Sequence, residues 1–308
     1  MHQHSGHSHS HGTEQVSDRL LLATVFINLG LSVFEFIAGL ISASTALMAD
    51  ALHNTNDAAA LLVAYVARRV SRKGADHKFT FGYRRAELIG AMIQLTALIV
   101  VGLYLLYEAV RRFAEPEPVL GGWMMAAAGV ALVVDVATAL LLWSMSRGSL
   151  NVKAAFFHNL TDAAASLAVM IGGAAVLWLG WTWIDPVLTL GIAGYILHMS
   201  VGMLRRTSAI LMEGVPGDVR VDEVKGAVES IPGIVEMHHI HIWELDERLR
   251  AIEAHVVIAT GSSMSELESL KAQARALLGQ RFRIAHSTLE MESEGTACEW
   301  SSGRTSAG

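Results

Sequence analysis

Six stretches of this 308-residue sequence are apolar enough and long enough to cross a bilayer. They run roughly over 19–41, 46–68, 87–110, 119–145, 154–180 and 184–206. A helix rising 1.5 Å per residue needs about 20 residues to cross about 30 Å of hydrocarbon, and every one of these stretches exceeds that. Composition agrees, with 52% hydrophobic and 17% charged residues against about a quarter charged in a soluble domain. The sequence therefore predicts a membrane-embedded bundle of six transmembrane helices.

Lysine and arginine orient the bundle. Arg68, Arg69, Arg72, Lys73, Lys78, Arg84 and Arg85 lie between spans two and three, Arg147 and Lys153 between four and five, and Arg205 and Arg206 after six. These connections are expected in the cytoplasm, along with both termini. Ser42–Thr45 and Gly180–Trp183 carry no cation, and Trp181 and Trp183 suit a headgroup belt on the opposite face; Arg111 and Arg112 dissent, offset by Glu115 and Glu117. The formal net charge of -6 lies in the C-terminal third, where residues 209–308 hold 9 Lys+Arg against 16 Asp+Glu. A basic nucleic-acid footprint is excluded. The single cysteine, Cys298, cannot form an internal disulfide, and the histidine-bearing N-terminus does not read as a signal peptide.

Four regions are expected: a His-rich cytoplasmic tail over 1–14, the transmembrane domain over 15–208, a cytoplasmic α+β domain over 209–292, and a polar tail over 293–308 expected to be disordered. In the third region a periodic helix near Val221–Ile231 stops at Pro232-Gly233. Strand-like Val235–Leu245 and Ala251–Ala259 flank a turn at Asp246-Glu247. A second helix is opened by the capping-box pattern Ser265-Glu266-Leu267-Glu268 and closed at Gly279, and a strand follows over Phe282–Glu292. The order is α-β-β-α-β.

Ionisable residues inside apolar spans carry the chemistry, because an aspartate at the bilayer centre costs about 2.5–3.5 kcal/mol and needs a compensating role. Span two contains His53-Asn54-Thr55-Asn56-Asp57 and span five His158-Asn159-Leu160-Thr161-Asp162. Residues four apart on a helix share a face, so each span offers one imidazole and one carboxylate together. A single pair would serve equally as a packing hydrogen bond. Two at identical spacing point to an N2O2 tetrahedron, a ligand set that suits Zn²⁺ without thiolates that would slow its release. Asp50, Asp135, Asn28 and Glu35 are further intramembrane polar residues, read as neighbours of the site or as an entry path; His198 has no partner at helical spacing.

With these residues the chain resembles the cation diffusion facilitators. The likeness is carried by Leu47-Met48-Ala49-Asp50-Ala51-Leu52-His53 through Asp57, by His158 through Asp162, by Phe81-Gly82-Tyr83-Arg84-Arg85-Ala86-Glu87, by Asp185-Pro186, by Leu211-Met212-Glu213-Gly214-Val215-Pro216 and by His238-His239-Ile240-His241-Ile242-Trp243. It covers about residues 15–292. The resemblance implies a six-span exporter with a ferredoxin-like cytoplasmic domain, working as a homodimer in the cell membrane, a bacterial inner membrane, and exchanging metal for protons by alternating access. It implies that His53, Asp57, His158 and Asp162 are the transport site, with zinc as cargo and cadmium or cobalt as further candidates.

The resemblance also implies cytoplasmic metal sites at His238, His255 and His286. His239 and His241 share one strand face by alternation and are further candidates. His239 stands where the family often has Asp, and Thr288 where some members have a carboxylate. Asp76 and His77 could contribute in the loop between spans two and three, but Tyr83 replaces a histidine there. Arg85 and Glu213 match positions where a charge pair joins two subunits. The N-terminal His2, His4, His7, His9 and His11 suit weak metal capture, and Cys298 reads as a free thiol. No enzyme chemistry is implied, since no His-Glu-x-x-His offers an open metal with a base. A membrane metal sensor that binds without transport is the alternative.

Overall fold

The computed structural model describes residues 11–145, 150–246, 249–261 and 263–295, with side chains from Phe26 onward except Leu61 and residues 144–155. His2, His4, His7, His9, Arg147, Glu247 and Cys298 lie outside the described residues.

All six expected spans are helices: α1 (His11–Ser42), α2 (Thr45–Ser71), α3 (Ala86–Ala114), α4 (Gly121–Met145), α5 (Leu150–Leu179) and α6 (Ile184–Leu211). Helices satisfy their own backbone polar groups, which hydrocarbon cannot do. By length and composition α3, α6, Gly121–Trp143 of α4 and Phe156–Leu179 of α5 can each cross a membrane, while the described apolar stretch of α1 is Phe26–Ser42. The polar residues of α2 between Asp50 and Asp57 dilute its hydropathy; of them Asp50 and His53 are buried. Of the described residues, those up to Val66 with those from Ile93 to Met203 form one compact unit, and those from Ala67 to Met92 with those from Leu204 onward form the other.

In the first unit, lipid tails are as apolar as leucine, so close packing rather than hydrophobic burial joins the helices. Glycine provides it between α4 and α5. A Cβ on Gly121 would lie 2.6 Å from the Leu177 amide nitrogen, and one on Gly173 would lie 2.6 Å from that of Met125. Ala38, Ala46, Leu47, Met124, Ala127, Ala128 and Val169 form a buried cluster drawn from α1, α2, α4 and α5, while Ala49, Leu105 and Ala193 join α2 to α3 and α6.

The start of α2 is capped from another helix. Asp185 of α6 is fully buried and accepts from the Thr45 and Ala46 amides at 2.9 and 3.2 Å, and from the Ser44 and Thr45 hydroxyls at 2.5 and 2.7 Å. Arg112 of α3 donates to the Ala43 carbonyl and lies 3.8 Å from Asp185, which explains the dissenting cation on this face. It also pairs with Glu108 and Glu117.

The C-terminal part is α7 (Val221–Glu229), β1 (Ile234–Glu244), β2 (Arg250–Ile258), α8 (Met264–Phe282) and β3 (Ile284–Ser293), the expected α-β-β-α-β order. The sheet order is β1-β2-β3, antiparallel between the first two strands and parallel between β2 and β3, the latter joined by the α8 crossover. Val224, Val228, Met237, Ile252, Val256 and Leu278 are fully buried in one core of helices and sheet.

Two boundaries differ from expectation. The capping box begins at Ser263, not Ser265: Ser263 Oγ accepts from the Glu266 amide at 3.3 Å, and Glu266 Oε2 accepts from the Ser263 amide at 2.7 Å. Both serines have a glutamate three residues on, and the earlier one takes the cap. Helix α8 continues through Gly279 to Phe282, because Arg283, in the left-handed conformation at φ 57°, supplies the stop.

Candidate metal centre

The two His-x-x-x-Asp pairs meet. His53 Nε2 lies 3.7 Å from Asp57 Oδ2 on α2, and His158 Nε2 lies 3.6 Å from Asp162 Oδ2 on α5, the i,i+4 spacing bringing each pair onto one face. Across the two helices Asp57 Oδ2 is 3.0 Å from His158 Nε2, and the His53 and His158 rings stand edge to face at 6.2 Å. His53 and Asp162 are buried, at 7% and 4% exposure, and His53 Nδ1 has no hydrogen-bond partner among the described residues. Two imidazoles and two carboxylates thus converge with no thiolate among them, the donor set for a divalent cation of zinc's class.

The residues between and beside the ligands anchor them. Asn54 Nδ2 donates to Glu35 Oε2 of α1 at 3.2 Å, and Gln94 of α3 donates to the Asn56 carbonyl and side chain at 2.8 and 2.6 Å. Asn159, next to His158, accepts from Thr138 of α4 at 2.8 Å and from Asn28 of α1 at 3.5 Å. Asn28 and Glu35 therefore both face the interior, as their seven-residue spacing suggests. Asp50 and Asp135 are each 2% exposed and are bridged by Ser166 Oγ, at 3.4 and 3.0 Å. Ser166 and Gln94 carry no sequence signal of this role; only packing reveals it.

In the loop between α2 and α3, Asp76 is committed to the turn rather than gathered with His77. Its carboxylate accepts from the Lys78 and Phe79 amides at 2.8 and 2.7 Å and from the Tyr83 hydroxyl at 2.8 Å. The Phe79 amide, then Tyr83, hold its carboxyl below the ordinary range, and the same bond raises the Tyr83 phenol.

In the second unit two of the three expected histidines come together within the chain. His238 and His255 are paired across β1 and β2, and their third partner is Glu292 of β3, one ligand atom from each lying within 4.8 Å of the others. His255 Nδ1 is 2.6 Å and His238 Nε2 3.4 Å from the Glu292 carboxylate, and Glu290 lies 3.5 Å from His255 Nε2. His286 instead pairs with Ala251, four positions along β2 from His255, which is about 13 Å at 3.3 Å per residue. Its ring meets Phe81 edge-on at 5.8 Å.

Simple alternation also fails along β1. Three steps from His238 to His241 match two from His255 to Glu253, so β1 bulges, with His239 at φ 50°. The bulge swings His239 onto His255 at 4.9 Å while it keeps His241 at 4.7 Å. Burial, then the neighbouring His241 and His255, lower the His239 imidazole. Arg85 and Glu213, expected to pair between subunits, bond within the chain at 2.9 Å and are both solvent-exposed, a geometry worth about 0–1 kcal/mol.

Comparison with known proteins agrees with this architecture. The family model for the cation efflux transmembrane domain matches residues 21–212, and that for the cytoplasmic domain of cation efflux proteins matches 216–294. A cadmium, cobalt and zinc/H(+)-K(+) antiporter of Bacillus velezensis is 32% identical over 292 residues, covering 93% of this chain and 92% of the relative. Zinc transporter ZitB of Escherichia coli K12 is 33% identical over 296 residues, covering 94% and 92%. The metal cation efflux system protein CzcD of Cupriavidus metallidurans is 32% identical over 291 residues, covering 94% and 90%. With matches spanning both units and paired metal-type ligands inside the bundle, the chain belongs to the cation efflux, or cation diffusion facilitator, family.

Proposed function

We propose that this cation efflux protein exports zinc, with cadmium and cobalt as further cargo, in exchange for protons, and that His53, Asp57, His158 and Asp162 are its transport site. The observation that carries the reading is the approach of Asp57 on α2 to His158 on α5, at 3.0 Å, which makes one site of two helices. Metal binds imidazole only in its neutral form, so loading releases protons and protonation expels the metal. Relatives named as zinc transporters and as cadmium, cobalt and zinc antiporters support cargo and exchange.

Asp50, Asp135 and Asn28 line the approach to this site. His238, His255 and Glu292, with His239 and His241 nearby, bind regulatory zinc in the cytoplasmic domain of a homodimer, with His286 a further ligand farther along the sheet, and Asp76 and His77 add no complete site. The protein spans a bacterial inner membrane with both termini inside, and Arg85 with Glu213 ties the start of α3 to the end of α6. Counterflow of labelled zinc in proteoliposomes tests the proposal: trapped unlabelled zinc should draw label inward. Binding without counterflow would instead make the protein a metal sensor.

A further inference from the structure

Residues 67–92, which join α2 to α3, hold 7 Lys+Arg against 2 Asp+Glu, the reverse of the balance over residues 209–308. Arg84 and Arg85 are engaged within the second unit, with Asp246 at 3.1 Å and Glu213 at 2.9 Å. The other cations, Arg68, Arg69, Arg72, Lys73 and Lys78, are exposed and form no ion pair among the described residues. Both acids of the segment are occupied otherwise. Asp76 closes its turn by accepting from the Lys78 and Phe79 amides and the Tyr83 hydroxyl, and Glu87 accepts from the Ser71 hydroxyl at 2.5 Å. Arg68 and Arg72 stand one helical turn apart, where like charges repel, and the dipole at the end of α2 offsets this only within its last turn. Lys73 and Lys78 lie beyond that turn and have no counter-charge.

Orienting a bundle requires cations near the ends of its spans but asks nothing of their arrangement. Here they are arranged. The Asp76 turn brings Phe79 onto Tyr83, with ring centroids 4.6 Å apart. Lys73 Nζ lies 5.7 Å from the centre of the Tyr83 ring and Lys78 Nζ 5.7 Å from that of Phe79, so each ring of the pair carries an ammonium. Phe79 stays 43% exposed. Aromatic rings next to a span settle at the headgroup level of a bilayer, and cations there attract anionic headgroups. A free anion would satisfy the lysines but leave Phe79 in water; a ligand with a phosphate and an apolar body satisfies both.

We propose that the loop between α2 and α3 is a binding site for an anionic phospholipid, whose phosphodiester is held by Lys73 and Lys78 and whose glycerol and upper acyl chains rest on Phe79. Arg68, Arg69 and Arg72 add attraction from the end of α2. The site needs neither bound metal nor transport, and so stands apart from the exchange reading. Its place gives it a consequence for the second unit: the surface potential that holds this loop repels the acidic residues 209–308, and Arg84 with Asp246 links the two.

The full-length protein in phosphatidylcholine bilayers, doped with spin-labelled phosphatidylglycerol or spin-labelled phosphatidylcholine, tests this through the fraction of label whose motion the protein restricts. At low salt the wild type should restrict phosphatidylglycerol about fivefold more strongly than phosphatidylcholine, the order of one cation's pull on an anionic headgroup. The preference should fade at about 1 M salt, where the screening length is about 3 Å. Lys73→Gln with Lys78→Gln should bring it below about twofold, while Arg68, Arg69 and Arg72 keep the orienting charge of the segment. Lys73→Arg with Lys78→Arg should retain it, and Phe79→Ser should weaken it. Should the double glutamine variant fail to elute as the wild type does, Lys78→Gln alone, expected to keep about a twofold preference, decides in its place. Equal restriction of the two lipids by the wild type would overturn the site, as would a preference unchanged by the lysine-to-glutamine substitutions. Loss of the preference in millimolar inorganic phosphate at matched ionic strength would overturn the lipid as occupant and leave a site for free anions.

Discussion

Asp185→Ala removes a carboxylate that four donors share. Two of them, the hydroxyls of Ser44 and Thr45, can turn elsewhere: Thr45 Oγ1 already lies 2.9 Å from Thr189 Oγ1. The amides of Thr45 and Ala46 cannot turn, because they are the first N–H groups of α2 and point along its axis. Each amide left unpaired in the interior costs about 1–3 kcal/mol, and Arg112, at 7% exposure, loses its 3.8 Å counter-charge as well. The sum is about 3–5 kcal/mol. At about 2–4 °C per kcal/mol for a chain of this size, Tm in detergent should fall by roughly 10 °C. Asp185→Asn keeps one carbonyl oxygen and should lose about half as much, and Thr45→Val, which deletes one hydroxyl, about 1 kcal/mol. Thermal unfolding followed by the monodisperse fraction in size-exclusion chromatography reads all three. Equal Tm for wild type and Asp185→Ala would refute the view that α6 holds the end of α2; so would Asp185→Asn falling as far as alanine.

Other expectations follow from single contacts. Asp57→Ala and Asp162→Ala should each abolish zinc flux in proteoliposomes while leaving Tm close to wild type, because both act on the cargo and not on packing. Gly173→Ala should lower Tm and flux together, since its Cβ would stand 2.6 Å from a backbone nitrogen, whereas Gly129→Ala, whose nearest neighbour is the flexible Met170 sulfur at 3.6 Å, should be tolerated. In a difference titration against Tyr83→Phe, Asp76→Asn should bring the raised Tyr83 phenol down toward its ordinary value; an unmoved titration would deny the bond. The Asp76 carboxyl is held low, so this turn is stabilised above the ordinary carboxylate range and is lost as pH falls through the lowered value. Glu292→Gln should reduce the zinc bound by the second unit, measured by equilibrium dialysis of the full chain with the bundle ligands mutated. His286→Ala should reduce it less.

What sequence alone determined is what repeats at short range. Six apolar lengths imposed six helices because hydrocarbon leaves the backbone no other partner, and the i,i+4 spacing put His53 with Asp57 and His158 with Asp162 before any packing was known. The α-β-β-α-β order was legible from periodicity for the same reason, and the shift of the α8 cap from Ser265 to Ser263 shows the limit of a three-residue pattern that occurs twice. Tertiary structure decided which of those local faces meet. No spacing announces that Asp57 reaches His158 across 101 positions, that Asp185 caps a helix 140 positions earlier, or that Ser166 links Asp50 to Asp135. In the sheet, strict alternation places His239 away from His255, but a bulge with a non-glycine residue at positive φ turns it back toward that ring. Strand register, set by core packing of the whole sheet, then gave His238 and His255 Glu292 as a neighbour and set His286 beside Ala251. Pairing partners depend on the burial of faces several strands and helices apart, and that is a property of the assembled chain.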